Sequence, residues 1–174
     1  MKKLTIKTEK MTTPAMELCL VNPRRGAFPF TRYMVLPRAR WGINGINHEC
    51  DMLALSSTGT LHEIEIKISK SDFLADLRKR HKHKSKIIKR LWYAVPADMV
   101  DYVLERLPEG AGLVKCENGR SSVVKRPKTS RSDKPDELVV KHMYELLQMR
   151  YWSEKMREFN RIQKASTKAK KRKS

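Results

Sequence analysis

The fold is decided by the stretch Cys50-Asp51-Met52-Leu53-Ala54-Leu55-Ser56, followed after three residues by Thr60-Leu61-His62-Glu63-Ile64-Glu65-Ile66-Lys67-Ile68. The second run alternates with a period of two, so its isoleucines share one face of a strand and its acids and lysine share the other. The intervening Ser57-Thr58-Gly59 fits a three-residue loop with glycine at the left-handed position. The stretch therefore predicts a β-hairpin with one polar face.

The predicted hairpin brings two acids together. With residues 57–59 as the loop, the pairing places Asp51 directly opposite Glu65. Facing carboxylates repel, and Asp51 shares an otherwise apolar strand face, where an unpaired charge is costly. A divalent cation between the acids would relieve both problems, and hard oxygen ligands suit Mg²⁺. Lys67, on the same face as Glu65, could hold an attacking water there or stabilise charge on a phosphate.

The same acidic pattern has an ordinary interpretation. Glu63, Glu65 and Lys67 could form the solvated polar face of a half-buried strand, because short acidic patterns often match by chance. Asp51 in an apolar strand favours the metal site, but the spacing alone leaves both interpretations open.

The elements around the hairpin predict one α/β domain. A helix, three strands, a helix and a strand come first, and a helix, a hairpin and a helix follow. The predicted bounds are helix 12–22, edge strand 30–41, hairpin 50–68, helix 69–83, strand 87–95, helix 98–107, hairpin 113–125 around Asn118-Gly119, and helix 133–163. We expect a flexible leader over 1–11, an α/β domain over 12–132, the helix 133–163 packed on it, and a basic disordered tail over 164–174.

Positive charge dominates the composition, with 38 Lys and Arg against 19 Asp and Glu and a net charge of +19 at pH 7. The tail and residues 67–90 are densely basic, which favours a nucleic-acid partner through counterion release. A solvated basic face and a lipid surface are the alternatives, and DNA and RNA are not separated by this argument. The residues expected to hold the phosphate backbone are Lys70, Arg78, Lys79, Arg80, Lys82, Lys84 and Lys86.

Cysteine content and hydropathy predict an intracellular, reducing and cytoplasmic location. Cys19, Cys50 and Cys116 are scattered and odd in number, so they do not form a disulfide framework. No apolar run approaches the roughly 20 residues of a membrane span, and we expect neither an export signal nor a membrane partner. His48-Glu49-Cys50 and His81-Lys82-His83 contain metal-binding atoms, but their spacing matches no zinc site, so zinc is not expected.

Several segments resemble one family. Asp51, followed across the hairpin by Glu65-Ile66-Lys67, resembles the D…ExK signature of the restriction-endonuclease-like PD-(D/E)XK superfamily. Three stretches are similar to MmcB-like DNA-repair proteins: Glu65-Ile66-Lys67-Ile68-Ser69-Lys70-Ser71-Asp72-Phe73-Leu74-Ala75-Asp76, Tyr93-Ala94-Val95-Pro96 and Pro108-Glu109-Gly110-Ala111-Gly112-Leu113-Val114. The resemblance covers about residues 48–126. It implies a restriction-endonuclease-like domain, with a mixed central sheet flanked by helices, and a role on DNA.

Carried over by position, the resemblance also implies roles for individual residues. Asp51 and Glu65 would be ligands of Mg²⁺ or Mn²⁺, helped by the Ile66 carbonyl, and Lys67 would be the catalytic lysine. The implied activity is metal-dependent hydrolysis of phosphodiester bonds in DNA repair or recombination, including a phage context. The sequence departs from the superfamily in two ways: Cys50 replaces the usual proline, and Glu17 is the sole candidate for the helical acid that some members use.

Four neighbouring residues are accessory candidates, each with a simpler explanation. Glu49 and Glu63 could contribute to a second metal or be solvated, and His48 could contact substrate or be an ordinary loop residue. Ser69 caps the following helix, where a phosphate contact is also open to it.

Two other functions remain open. A non-catalytic module could keep the fold and only bind nucleic acid, although such a binder has no need to direct two acids at a phosphate backbone. An interaction protein could use its C-terminal helix to form a homodimer or to dock on a repair or phage protein.

Overall fold

Six strands form one mixed β-sheet in which neighbouring strands follow chain order. The structure is a computed structural model that describes residues 11–39, 42–79 and 83–171, with side chains as far as residue 164. The strands are β1 (Tyr33–Ala39), β2 (Cys50–Ser56), β3 (Leu61–Ile66), β4 (Ile88–Pro96), β5 (Gly112–Glu117) and β6 (Arg120–Lys125). The helices are α1 (Thr13–Val21), α2 (Lys70–Leu77), α3 (Val100–Leu104), which follows the 3₁₀ turn Ala97–Met99, and α4 (Glu137–Lys171).

The connections between strands explain the mixed pairing. Strands joined by short loops pair antiparallel, namely β1 with β2, β2 with β3, and β5 with β6. Strands β3 and β4, and β4 and β5, are parallel because helical crossovers join them. The predicted α/β fold, a mixed central sheet flanked by helices, is confirmed. β1 lies at the edge of the sheet, as its Pro37 predicts.

Helices cover both faces of the sheet. On one face, Met16 and Leu20 of α1 pack with Ile64 of β3 in a buried apolar cluster. On the other face, Phe73 of α2 packs with Tyr93 of β4. Burying each such side chain stabilises the fold by about 1.5–3 kcal/mol. Because side chains alternate along a strand, the even-numbered positions of β3 face α1 and its odd-numbered positions face α2.

The two hairpins have the predicted geometry. Met52 pairs with Ile64, which is the register expected from a loop over residues 57–59. Gly59 has a φ of +77° and so occupies the left-handed position of that loop. In the second hairpin Asn118 and Gly119 both have positive φ, the conformation that an Asn-Gly turn favours.

Helix α2 is shorter than predicted. It ends at Leu77 rather than near His83, because the backbone N–H groups of Arg78 and Lys79 donate to carbonyls three residues back and tighten the last turn. His83 follows with a φ of +52°, outside any helix. His83 nevertheless contacts Asp76 in the last turn of α2.

Helix α4 also differs from the prediction at both ends. It begins at Glu137 rather than at residue 133, since Pro135 disfavours helix before it and the Asp136 carboxylate accepts a hydrogen bond from the Val139 N–H at 2.8 Å. It continues to Lys171, so the predicted disordered tail is wrong as far as that residue. The chain divides into one compact unit ending at Pro135 and another beginning at Asp136. That α4 packs on the domain stays a prediction.

Within the part of the chain that the structure describes, no helix is both long enough and apolar enough to cross a bilayer.

His62 is a buried histidine held neutral on the α1 face of the sheet. The indole N–H of Trp92 donates to its Nδ1 at 3.0 Å, so that nitrogen carries no proton. Burial, together with the positive charge of Arg90, lowers the pKa of His62 to about 4. In the unfolded chain the ordinary pKa of about 6.5 applies. The stabilisation is therefore complete above pH 6.5 and is lost as the pH falls toward 4.

We expect the wild-type protein to lose about 2 kcal/mol of unfolding free energy through His62 between about pH 7.5 and about pH 5. His62→Asn keeps an acceptor near the position of Nδ1 but takes up no proton, so its loss over the same interval should be smaller by that amount. Urea denaturation of both proteins at the two pH values measures the difference. Equal losses would show that another group sets the acid sensitivity.

Candidate active site

Lys67 lies just after β3, on the polar side of the hairpin. Its Nζ is 2.6 Å from Glu65 Oε2, 3.2 Å from Asp51 Oδ2 and 3.1 Å from Asp76 Oδ1. The side chains of Lys67 and Glu65 are buried, whereas 42% of the Asp51 side chain is exposed. The interpretation as a solvated polar face is therefore wrong. The acids form a buried cluster that meets solvent at Asp51.

Asp51 also binds the backbone of β3. Its Oδ2 accepts a hydrogen bond from the Ile66 N–H at 2.9 Å, while the Lys67 N–H points the other way and donates to Ala94 of β4 at 3.0 Å. Because the N–H and C=O of one strand residue point to the same side, the Ile66 carbonyl is directed toward Asp51. These two carboxylates and this carbonyl are the groups that the resemblance implies as metal ligands, and that role stays a prediction.

Asp76, in the last turn of α2, is an acid that sequence reasoning missed. Its Oδ2 accepts hydrogen bonds from His83 Nε2 at 2.8 Å and from the Tyr93 hydroxyl at 2.9 Å. Its Oδ1 is 2.5 Å from Lys79 Nζ. Asp76 follows Phe73 by three residues, which places it on the inward face of α2. An acid on the apolar stripe of a helix was the signal that could have identified it.

Glu63 joins two histidines on the same side of the sheet. Its Oε1 is 2.8 Å from His48 Nε2 and 2.7 Å from His83 Nδ1. His83 therefore has a carboxylate at each ring nitrogen, Glu63 at one and Asp76 at the other. The doubly protonated imidazolium satisfies both, since only that form has two donors.

Burial and neighbouring charges determine which groups are ionised. Burial raises the pKa of Glu65 to about 7, with Lys67 opposing the shift and Asp51 reinforcing it. Burial alone would lower the pKa of Lys67, but the carboxylates of Glu65 and Asp51 outweigh it and raise that pKa. In the same way, hydrogen bonds to two carboxylates outweigh burial and raise the pKa of His83 to about 9. The acids thus hold Lys67 and His83 in their charged forms.

The donor atoms at the solvent boundary fit a hard divalent cation. Asp51 and Glu65 supply carboxylate oxygens and Ile66 a carbonyl oxygen, the ligand type that Mg²⁺ and Mn²⁺ take. The Lys67 ammonium already lies between the two carboxylates, so this arrangement of acids attracts positive charge. Deeper in the cluster, ligand atoms of Glu63, Glu65 and His83 lie within 4.8 Å of one another.

Other predicted residues lie outside this cluster. Glu17 is on α1, across the sheet, where its Oε1 is 3.6 Å from Arg38 Nε. Glu49 is exposed. Ser69 caps α2, its Oγ accepting a hydrogen bond from the Asp72 N–H at 3.2 Å. The helical acid of the cluster is thus supplied by α2 and not by α1.

The predicted phosphate-binding side chains are mostly exposed. Lys79 reaches the acids, whereas Lys70 Nζ lies 4.7 Å from the ring centroid of Tyr102. A groove of about 500 Å³ beside His83 is lined by Lys84 and by further basic side chains. Arg80 and Lys82 lie outside the described residues. The exposed members of the predicted set are Lys70, Arg78, Lys79, Lys84 and Lys86.

Comparison with known proteins adds a structural likeness. No family model and no curated protein matches the sequence. A solved structure shares the fold. It is the SPO1766 protein of unknown function from Silicibacter pomeroyi, 17% identical, with a TM-score of 0.55 over 79% of this chain and 85% of that one. At this identity the likeness to SPO1766 shows the α/β fold alone.

Proposed function

We propose that this protein is a metal-dependent deoxyribonuclease of the MmcB-like, restriction-endonuclease-like type, acting in DNA repair or recombination. One observation carries the proposal: Lys67 Nζ lies within 3.2 Å of the carboxylates of both Asp51 and Glu65, and Asp51 is open to solvent. A lysine beside convergent acids at a solvent boundary combines cation binding with stabilisation of charge on a phosphate.

Each residue has a distinct role in the proposed reaction. Asp51, Glu65 and the Ile66 carbonyl would hold Mg²⁺ or Mn²⁺, which when bound polarises a phosphoryl oxygen. Lys67 supplies positive charge next to the phosphate. An ammonium group has three N–H donors, and the Lys67 ammonium already contacts three carboxylates. To contact phosphate or water, Lys67 must therefore give up its contact with one of these carboxylates. We expect that carboxylate to be Asp51, because it is exposed and lies farthest from Lys67 Nζ.

Basic side chains would form the DNA-binding surface. The groove beside His83 is lined by Lys84, Lys89, Arg90 and Lys128, and His83 itself contacts the acids of the cluster. A phosphate backbone in this groove would run next to the cluster, with an affinity that falls as salt rises. The same basic side chains would also hold RNA. A cytoplasmic location belongs to the same proposal, because the substrate is DNA and Cys19, Cys50 and Cys116 are free thiols.

Cleavage of end-labelled DNA tests the proposal. We expect single-stranded, duplex or branched DNA to be cut in Mg²⁺ or Mn²⁺ but not in EDTA. Asp51→Asn removes a ligand charge and should lower cleavage by at least about 100-fold. The matched control is Asp133→Asn, the same change at an exposed acid before α4, which should cut within about two-fold of wild type. Cutting that persists in EDTA or in Asp51→Asn contradicts the metal mechanism.

A non-catalytic DNA-binding module is the alternative outcome of that experiment. It predicts salt-sensitive binding by the wild type and by Asp51→Asn, with no cutting by either. The exposed Asp51 carboxylate disfavours it, because a module that only binds DNA has no need to direct an acid at a phosphate backbone.

The exposed apolar side chains of helix α4 favour a second role for this protein, in binding another protein. Taken by itself, it exposes apolar side chains three and four residues apart, which form one stripe along a helix. Exposed apolar stripes of this kind are typical of docking faces. The proposed partner is a second copy of this chain or a repair or phage protein, and sedimentation of the full chain detects the former. The stripe contains Met149, Trp152, Met156 and Phe159.

A further inference from the structure

Three side chains with chemically different ligand atoms meet on the inner side of the hairpin. His48 Nε2, Cys50 Sγ and a carboxylate oxygen of Glu63 lie within 4.8 Å of one another. The side chains of His48 and Glu63 are 2% and 0% exposed, and Cys50 is buried as deeply. Nitrogen, sulfur and oxygen donors therefore share one enclosed space.

The Glu63 carboxylate is only half satisfied. Its Oε1 contacts His48 and His83, whereas Oε2 is enclosed and has no hydrogen bond of normal geometry from the described residues. Leaving a buried acceptor unsatisfied costs about 1–3 kcal/mol, more when it is charged. The Cys50 thiol interacts with this carboxylate, but a thiol is a weak donor. The carboxylate thus retains an unused lone pair beside a soft ligand atom.

We propose that His48, Cys50 and Glu63 bind one zinc-class divalent ion, at a site separate from that proposed for Mg²⁺ and with His83 as the fourth ligand. Zn²⁺ accepts nitrogen, sulfur and oxygen ligands in a closed tetrahedral shell. Mg²⁺ and Ca²⁺ require hard oxygen ligands and do not select a thiolate. His83 is placed for this role because its Nδ1 is 2.7 Å from Glu63 Oε1, and ion binding would release the Nδ1 proton of His83 and the thiol proton of Cys50 to solvent.

The outer contacts that orient metal-binding histidines are already present. A ligating histidine almost always donates its other ring nitrogen to an oxygen acceptor, which fixes the tautomer. His48 places Nδ1 3.3 Å from the Asn47 side-chain oxygen, and His83 places Nε2 2.8 Å from Asp76 Oδ2. Both rings therefore present the opposite nitrogen to the Glu63 carboxylate, where the ion would lie.

Such an ion would tie together four segments of the chain. His48 is in the loop before β2, Cys50 opens β2, Glu63 is on β3, two residues before Glu65, and His83 lies between α2 and β4. The spacing of these four ligands along the sequence did not reveal the site. Glu63 lies near Cys50 only because β2 pairs with β3, and His83 belongs to the site only through its contact with Glu63. The ion would stabilise the strand that carries the proposed catalytic residues without contacting substrate.

Cobalt substitution of the full-length protein tests the proposal. Titration of metal-free protein with Co²⁺ should develop a thiolate-to-cobalt charge-transfer band and the strong d–d bands of a four-coordinate ion. Both should saturate at one ion per chain, and Zn²⁺ should displace that ion. Cys50→Ser should abolish the charge-transfer band. Cys116→Ser is the matched control, because Cys116 is equally buried but packs on the α1 face of the sheet. It should keep the band.

Two further measurements keep the result decisive. Asp51→Asn should lose DNA cleavage but keep the cobalt spectrum, so failure of the nuclease proposal and failure of this one are distinguishable. If Cys50→Ser does not fold, X-ray absorption of zinc-loaded wild type should show one sulfur among nitrogen and oxygen neighbours. A shell without sulfur, binding far below one equivalent, or a charge-transfer band that survives in Cys50→Ser would overturn the proposal.

Discussion

Replacing Asp76 with asparagine should lower the free energy of unfolding by about 3–5 kcal/mol. The buried carboxylate is the common partner of Lys67, Lys79 and His83, and it accepts a hydrogen bond from Tyr93. Asparagine has the same shape but no charge, so the buried Lys67 and His83 lose a neutralising partner where water does not replace it. Urea denaturation at neutral pH, followed by tryptophan fluorescence, measures the change.

Two further variants test the reason for this loss. Asp133→Asn makes the same change at an exposed acid and should cost no more than about 0.5 kcal/mol. In the Asp76→Asn background, His83→Gln should cost about 0.5–3 kcal/mol less than it does in the wild type, because the carboxylate charge beside His83 is already gone. If the two losses simply add, Asp76 and His83 act independently and the network account is wrong.

The hairpin could be predicted from sequence because the information for it is local. A period of two and a glycine at one loop position set the register, and the observed pairing of Met52 with Ile64 follows from the loop length alone. The cap of α1 is equally local, since the Thr12 side chain accepts a hydrogen bond from the Ala15 N–H within one turn.

The burial of the charged face could not be predicted in this way. Glu63, Glu65 and Lys67 alternate with isoleucines as a solvated strand face does, and nothing in residues 63–68 distinguishes the two cases. Whether such charges are buried depends on the partners that compensate them. Here those partners are Asp76 and His83, which come from a later helix and the turn beyond it.

The end of α2 was missed for a related reason. Residues 78–83 contain neither glycine nor proline, so the sequence has no local stop signal. A helix continued to His83 would carry that residue about 10 Å along the axis from Asp76. Instead His83 contacts both Asp76 and Glu63. Contacts distant in sequence thus outweigh the local preference for helix.

Replacing Lys67 with methionine should lower DNA cleavage by about 10²–10³-fold while DNA affinity stays within about two-fold. Methionine keeps most of the aliphatic stem but removes the ammonium that, in the proposed reaction, stabilises charge developing on the phosphate. The side chain is only 4% exposed, so it contributes little to the surface that holds DNA. An interaction made chiefly in the transition state changes the rate and not the affinity. Single-turnover cleavage and fluorescence anisotropy at one salt concentration measure the two quantities.

A purely structural Lys67 predicts a different result. Without the ammonium, Glu65, Asp51 and Asp76 lose the cation that they share, so Lys67→Met is also destabilised and must be assayed at a temperature where circular dichroism shows it folded. If the lysine only neutralises these acids, the folded variant cuts at the wild-type rate. Lys125→Met, the same change on the exposed strand β6, controls for loss of one positive charge and should alter neither quantity by more than about two-fold. A rate loss specific to Lys67→Met therefore separates a catalytic lysine from a structural cation.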